Sequence, residues 1–511
     1  LFFSVMRTYL GELRTPFHKP ALVDRLANFL GHEETVRRIV ALIDNRDAVF
    51  LTAVDLLGRP QITTLFSLFE EELDYFTFHG RLRNLQERLL VYHRRSDDSI
   101  AVNPLLLPVL RKQIIRRPLL FEYRRSEKTD DSETQPRITE AHLLALMAYL
   151  LIDGKLLKTD GTLKKKSADR VAKVFSSEDG GYDMFLCLLR SATDLGLVER
   201  REGSIIPNRR AIDAFAELPR EIRSSALWAS GFGGVQESSC RETSALPPRE
   251  LYRKSRVLLN VLESMPDQTV FTFAGLRRLI RIGAVNEGMD GRYLPFRPGE
   301  MVELGLLEER DEGVYLSSGT RRELKAQPVV RPILIGPDFS VTVQPPVDFP
   351  TGVRIGELFD IRGYDVYPRY ELTKYSYTRA RSHRFGYEEL LSFIEEKSEN
   401  ETPHNIMMTV KAWERAFSGV SLYEGIVLEV DEERAHLVDH TPGLQEHILH
   451  SFGGGLYLLD PSTVEEWTRA LERSGIEPVP PIRRPATEKR GEAAEKPGPS
   501  IASIHAAELR N

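Results

Sequence analysis

Cysteine is nearly missing from this chain: two residues in 511, Cys187 and Cys240. A disulfide framework needs several spaced pairs and a Cys-rich zinc site needs three or four thiolates, so both are excluded. The scarcity also fits a reducing compartment. Long apolar runs are absent too, since none approaches the ~18 residues of a membrane span. The opening LFFSVMRTYL is too short for a secretory signal. A cytoplasmic protein with no membrane partner is therefore expected. That opening has no initiator methionine, which leaves Met6 or an unusual start codon as the start. Positive charge is not in excess either. The net charge is −6, so any contact with nucleic acid must come from local basic patches.

Catalytic motifs are also wanting. The one Gly–Lys pair, Gly154–Lys155, lacks the upstream glycine and the following hydroxyl of a phosphate-binding loop. SFGGGLYLLD is glycine-rich but precedes a strand, whereas a nucleotide loop follows a strand and opens a helix; a tight turn is expected there. No G-x-S-x-G or H-E-x-x-H sequence occurs. His440, His447 and His450 are the densest histidines. The last two stand three residues apart on an expected helix, but ordinary surface or core roles are favoured over zinc. Cys187, set among leucines, reads as a small buried hydrophobe. The expectation is no enzyme, no cofactor and no metal.

What the sequence does contain is a repeated phrase. LGLVERREGSIIP (195–207) returns as LGLLEERDEGVYLS (304–317). In the first copy Met184, Phe185, Leu188, Leu189, Ala192 and Leu195 recur at helical spacing, Gly196 ends the helix, and two short strands flank a turn at Glu202–Gly203. A more divergent version, 82–106, turns at Ser96–Asp97–Asp98. Amphipathic segments precede each: 138–151 and 164–175, then 249–265 and 272–282, and ALVDRLANFL with EETVRRIVALI near the N-terminus. Helix, glycine cap and hairpin form the ending of a winged helix. At roughly 150 residues per domain the length suits three or four domains. The fold expected is α+β: tandem winged-helix modules at 7–125, 137–218 and 249–326, a compact α+β domain at 329–480, and a disordered tail at 481–511 rich in Pro, Gly, Ala and charge. Segments 126–136 and 230–248 read as loose linkers.

In a winged helix the third helix enters the major groove and the wing touches the backbone. Candidate DNA contacts in the first module are Arg81, Arg83 and Arg88 on its last helix, with Arg94 and Arg95 on its wing. The stretch 111–125 adds further positive charge. The second module offers Lys164, Lys165 and Lys166, then Arg200 and Arg201, with Arg209 and Arg210 following. The third carries Arg277, Arg278 and Arg281, but its acidic wing repels phosphate and points to packing on protein. Taken singly, each cluster can equally be a solvated helix face.

The C-terminal part reads as strand (331–343, broken at Gly336–Pro337), helix, strand, two helices separated by Gly386, and a helix after Thr402–Pro403. Then come an expected hairpin (421–439), a helix through LQEHILHSF, a strand, and a final helix capped by Ser462. Here PILIGPDFSVTV, YELTKYSYTRARSHRFGYEELLSFI and TPHNIMMTVKAW resemble the domain at the N-terminus of XPB-type DNA helicases and in bacterial helicase-associated proteins. Pro332, Asp338, Tyr370, Leu372, Thr373, Ser376, Gly386 and Pro403 carry the pattern. The departure is Arg381–Ser382–His383–Arg384, where that family has small apolar residues. The order of winged helices and then this domain is similar to the TFIIH subunit that anchors XPB. The resemblance implies a non-catalytic partner of an XPB-type helicase in repair or transcription, with Ile333, Ile335, Asp338, Tyr370 and Thr373 facing the partner. Double-stranded or branched DNA would be held weakly and without sequence preference. The alternative is a stand-alone winged-helix transcriptional regulator.

Overall fold

A computed structural model describes residues 6–482, apart from 8, 13–17, 95, 126–133, 159–161, 176–180, 202–203, 233–246, 291–292, 311–312, 383–384, 419–422, 442, 477–478 and 480–481. It is a mixed α+β structure of helices and small antiparallel sheets. The chain divides into two compact units, one reaching to Ile406 and one from Met407 to Gly498. The segment expected as a single domain at 329–480 straddles that division. Most of the expected tail, the greater part of both linkers and the turn at Glu202–Gly203 lie outside the described residues.

The repeated phrase is a threefold structural repeat. Helices Tyr75–Glu87, Gly181–Asp194 and Pro298–Glu303 each run into an antiparallel pair of four-residue strands. The junction is the same each time. Leu89, Gly196 and Gly305 take left-handed backbone, with φ of 58°, 70° and 71°. The next amide reaches back five residues: Leu90 N–H to the Leu85 carbonyl, Leu197 to Ala192 and Leu306 to Met301, at 3.0, 2.8 and 2.9 Å. This bond satisfies a carbonyl that the ending helix would leave orphaned. The hairpins close alike, since the Asn103, Asn208 and Ser317 amides donate to the Leu90, Leu197 and Leu306 carbonyls.

A second feature recurs. The segment after each repeat's first helix lies against the returning strand. The Ile100 amide donates to the Pro60 carbonyl and that of Ile205 to Gly154, each at 2.8 Å, while Phe271 pairs with Val314. In the third repeat this gives the strand order Thr269–Phe271, Gly313–Leu316, Leu307–Arg310, and Tyr123–Arg125 adds to the open edge. In the first repeat the N-terminal helices form as expected, at Lys19–Gly31 and Glu33–Ala41. Two unexpected helices follow them, Asn45–Leu57 and Ile62–Ser67, and these complete the repeat. Asn45–Leu57 buries six consecutive or near-consecutive side chains from Ala48 to Val54, so it shows no clean stripe in sequence.

Residues 329–406 pack on the second repeat. A four-stranded sheet runs Asp360–Tyr364, Pro368–Glu371, Ser340–Val343, Ile333–Ile335. The helix Phe349–Leu358 lies on Glu140–Ile152, where Gly352 and Gly356 meet Leu144 and Ala148. A Cβ at Gly352 would run into the Leu144 side chain, so the close crossing needs glycine there. Beneath it Glu140 and Arg223 form a buried pair (2.8 Å), and the guanidinium also sits over the Phe349 ring.

The second unit packs Val438, Leu444, Tyr457, Leu459, Trp467 and Leu471 behind a sheet ordered Ile426–Glu429, Leu456–Leu459, Ile448–Gly453. Three expectations are corrected here. Residues 421–439 are not a hairpin but a strand followed by the helix Glu432–His440. LQEHILHSF is a 3-10 turn and a strand, because Ile448, His450 and Ser451 pair with Leu459, Leu458 and Tyr457. The last helix starts at Val464 without a side-chain cap; Asp460 instead caps the preceding turn by accepting from the Ser462 amide at 2.7 Å.

Candidate nucleic-acid interface

Two of the arginines expected to read DNA from the first repeat turn inward. Arg81 and Arg88 both donate to Asp47, at 2.8 and 2.5 Å, and that carboxylate is 3% exposed. Arg88 also donates to the Leu42 carbonyl at 2.7 Å. Asp44 accepts more weakly from Arg81 and caps Asn45–Leu57, and these bonds hold its carboxyl below the ordinary value against the opposing effect of burial. Arg83 is exposed and pairs along its own helix with Glu87 (3.3 Å). Arg94 sits 3.8 Å from Asp97 on the hairpin. Arg95 lies outside the described residues.

The third repeat uses its cations for packing as well. Arg277 pairs with Glu71 and Arg281 with Glu70, each at 2.8 Å. Arg278 pairs with Glu72 and with Glu122 (3.0 Å) and donates to the buried Leu120 carbonyl (2.8 Å). These contacts fasten the third repeat to the first. These contacts come from its helix and not from its acidic hairpin.

The second repeat keeps more of its charge outward. Lys165 and Lys166 are exposed at the start of the helix Lys165–Val174. Lys164 donates to the Lys155 carbonyl (2.8 Å), and Arg201 pairs with Glu199 beside it on the hairpin (2.8 Å). Arg200 is exposed.

The residues expected to face a helicase divide differently. Ile333, Ile335 and Tyr370 are core residues of the four-stranded sheet, exposed by 4% or less, so they support a surface and do not form one. Asp338 accepts from the Ser340 hydroxyl (2.5 Å) and amide in an exposed turn, which holds its carboxyl below the usual range. Thr373 donates to the buried Asp360, which also pairs with Arg379 at 2.9 Å. These polar positions of the pattern shape the sheet's turns and helix starts.

The histidines do not converge. His440 bonds the His436 carbonyl, His447 stands 3.7 Å from Glu466, and His450 stacks on Tyr423 with centroids 4.6 Å apart. Among the described residues no three ligand-type side chains cluster as a metal site would require. Gly453, Gly454 and Gly455, all of positive φ, turn the chain between two paired strands. Cys187 is buried, and burial pushes its thiol up to about 11, which makes it a poor nucleophile.

A family model described as an N-terminal domain matches residues 1–31 of this chain. No curated protein matches it. No helix among the described residues is long and apolar enough to cross a membrane.

Proposed function

We propose that this protein is a non-catalytic adaptor that holds DNA through winged-helix repeats and associates with an XPB-type helicase in DNA repair or transcription. The observation that carries the reading is the threefold helix, left-handed cap and hairpin, with the returning strand between its two neighbours in the first and third repeats. The helicase half is supported by the residue pattern from Pro332 to Pro403, whose polar members sit at the turns and helix starts of one sheet.

The adaptor is favoured over a sequence-reading regulator because Arg81 and Arg88, on the helix that would enter the groove, are neutralised by Asp47. A regulator would prefer one duplex by at least ~1000-fold, whereas an adaptor binds weakly and with steep salt dependence. The test is affinity capture on the tagged full chain, together with duplex binding across salt. Recovery of an XPB-type ATPase supports the reading. ATP hydrolysis proportional to the purified chain alone would overturn it.

A further inference from the structure

We infer that the segment Lys112–Arg125 is the surface that contacts the phosphates of duplex nucleic acid. The inference rests on the DNA-holding half of the function proposed above and assigns it a place. Arg81, Arg83, Arg88, Arg94, Arg111, Arg277, Arg278 and Arg281 each have a carboxylate within 4 Å. Lys112, Arg116, Arg117, Arg124 and Arg125 are exposed, and among the described residues none has an ion pair. Among the described residues the nearby acids are engaged elsewhere, and Glu72 shares Arg278 with Glu122. Asp55 is held by Arg111 (2.9 Å), Glu122 by Arg278, and Glu70 and Glu71 by Arg281 and Arg277.

These cations also stand on fixed backbone. The Arg116 amide donates to the Thr52 hydroxyl (3.2 Å), anchoring the segment to the first repeat. Leu120 and Phe121 are buried, and the Leu120 carbonyl accepts from Arg278. Gly275 lies so close to the Phe121 carbonyl that a Cβ there would collide with it. Tyr123, Arg124 and Arg125 then pair with Phe271, Val270 and Thr269. Four of the five cations are arginines, whose planar fork matches a phosphate's oxygens. A lipid surface fits less well, because a membrane-lying segment needs an outward apolar face, whereas here Leu120 and Phe121 face the core, Ile114, Ile115 and Leu119 are half-buried, and the exposed positions are mostly charged.

The test uses the full chain and a labelled duplex of about 20 base pairs, with anisotropy read from roughly 50 to 200 mM salt. One variant carries Arg116→Gln, Arg117→Gln, Arg124→Gln and Arg125→Gln; another carries Lys164→Gln, Lys165→Gln and Lys166→Gln. The arginine variant should bind at least about tenfold more weakly at low salt, and its salt slope should fall by about three to four. The lysine variant should change by less than half as much. If the lysine variant loses binding while the arginine variant keeps it, the assignment is wrong and the DNA-holding reading survives. If the unaltered chain binds no duplex at the lowest salt, both fall. Loss of binding to phosphatidylserine vesicles with duplex binding untouched would assign the surface to lipid and overturn the proposal. Circular dichroism checks folding. Should the fourfold variant unfold, the two arginine pairs are replaced separately, each lowering the slope by about two.

Discussion

Leu89 and Gly196 hold the same left-handed backbone at the same step of successive repeats, although only one of them is a glycine. Both donate to a carbonyl three residues back, at 3.0 and 2.9 Å, and both hand the chain to a leucine amide that closes the helix. The first repeat therefore keeps the geometry without the residue that makes it easy.

The glycines of the other two repeats differ in their surroundings, and alanine should reveal it. A Cβ at Gly196 meets open space, so Gly196→Ala should lose only the backbone preference, about 1 kcal/mol. At Gly305 it would collide with the Gln135 carbonyl, so Gly305→Ala should lose about 2 kcal/mol or more. Urea unfolding of both variants checks the order; equal losses would refute it.

Asp47 gathers two arginines on a carboxylate that is almost fully buried. Removing one partner of such a group leaves uncompensated charge, so Asp47→Ala should destabilise the first unit by about 3 kcal/mol. Arg81→Gln should also lower stability, yet change the salt slope of duplex binding by less than about 0.5. A drop near one unit would return Arg81 to the DNA contact.

Glu140 and Arg223 join the first helix of the second repeat to the helix Arg220–Gly231, and Arg223 also donates to the Leu218 carbonyl. Burial raises the Glu140 carboxyl above its ordinary value even beside the guanidinium. Glu140→Leu and Arg223→Leu should each destabilise by about 3–5 kcal/mol, and the double variant by clearly less than the sum. Strict additivity in the double-mutant cycle would show that the pair is not coupled.

His142 lies against the Tyr364 ring, with centroids 4.3 Å apart, and its Nδ1 meets the Thr139 hydroxyl at 2.8 Å. Burial lowers its pKa to about 4. Below the ordinary value of 6.5 the unfolded chain takes up a proton that the folded chain refuses. Stability therefore falls as pH drops from about 6.5 to about 4 and then levels off. At about 1.4 kcal/mol per unit, reduced because the residue is only partly buried, the loss is about 2 kcal/mol. His142→Phe should remove that share of the pH dependence when urea unfolding is compared at neutral and acid pH. An unchanged dependence would exonerate the histidine.

The helices Gly181–Asp194 and Phe273–Asn286 were readable because each has one apolar side at helical spacing, and the two glycine stops were readable because left-handed backbone strongly favours that residue. The helix Asn45–Leu57 was not, since it is buried over too much of its circumference to leave a stripe. The strand at His450 was not, because a short apolar stretch suits helix and strand equally until a neighbour selects one. The same omission hid the first repeat's electrostatics, because the acids that quench Arg81 and Arg88 cap and occupy that unread helix.

Local sequence determined most of the repeat: the helices Gly181–Asp194 and Phe273–Asn286, the two glycine caps and the hairpin strands answer to spacing and backbone preference within some thirty residues. Which cations remain available was decided only by the tertiary structure. An ion pair such as Arg278–Glu122 joins residues 156 positions apart, and whether a guanidinium faces water or a carboxylate depends on packing between repeats, which no local window contains.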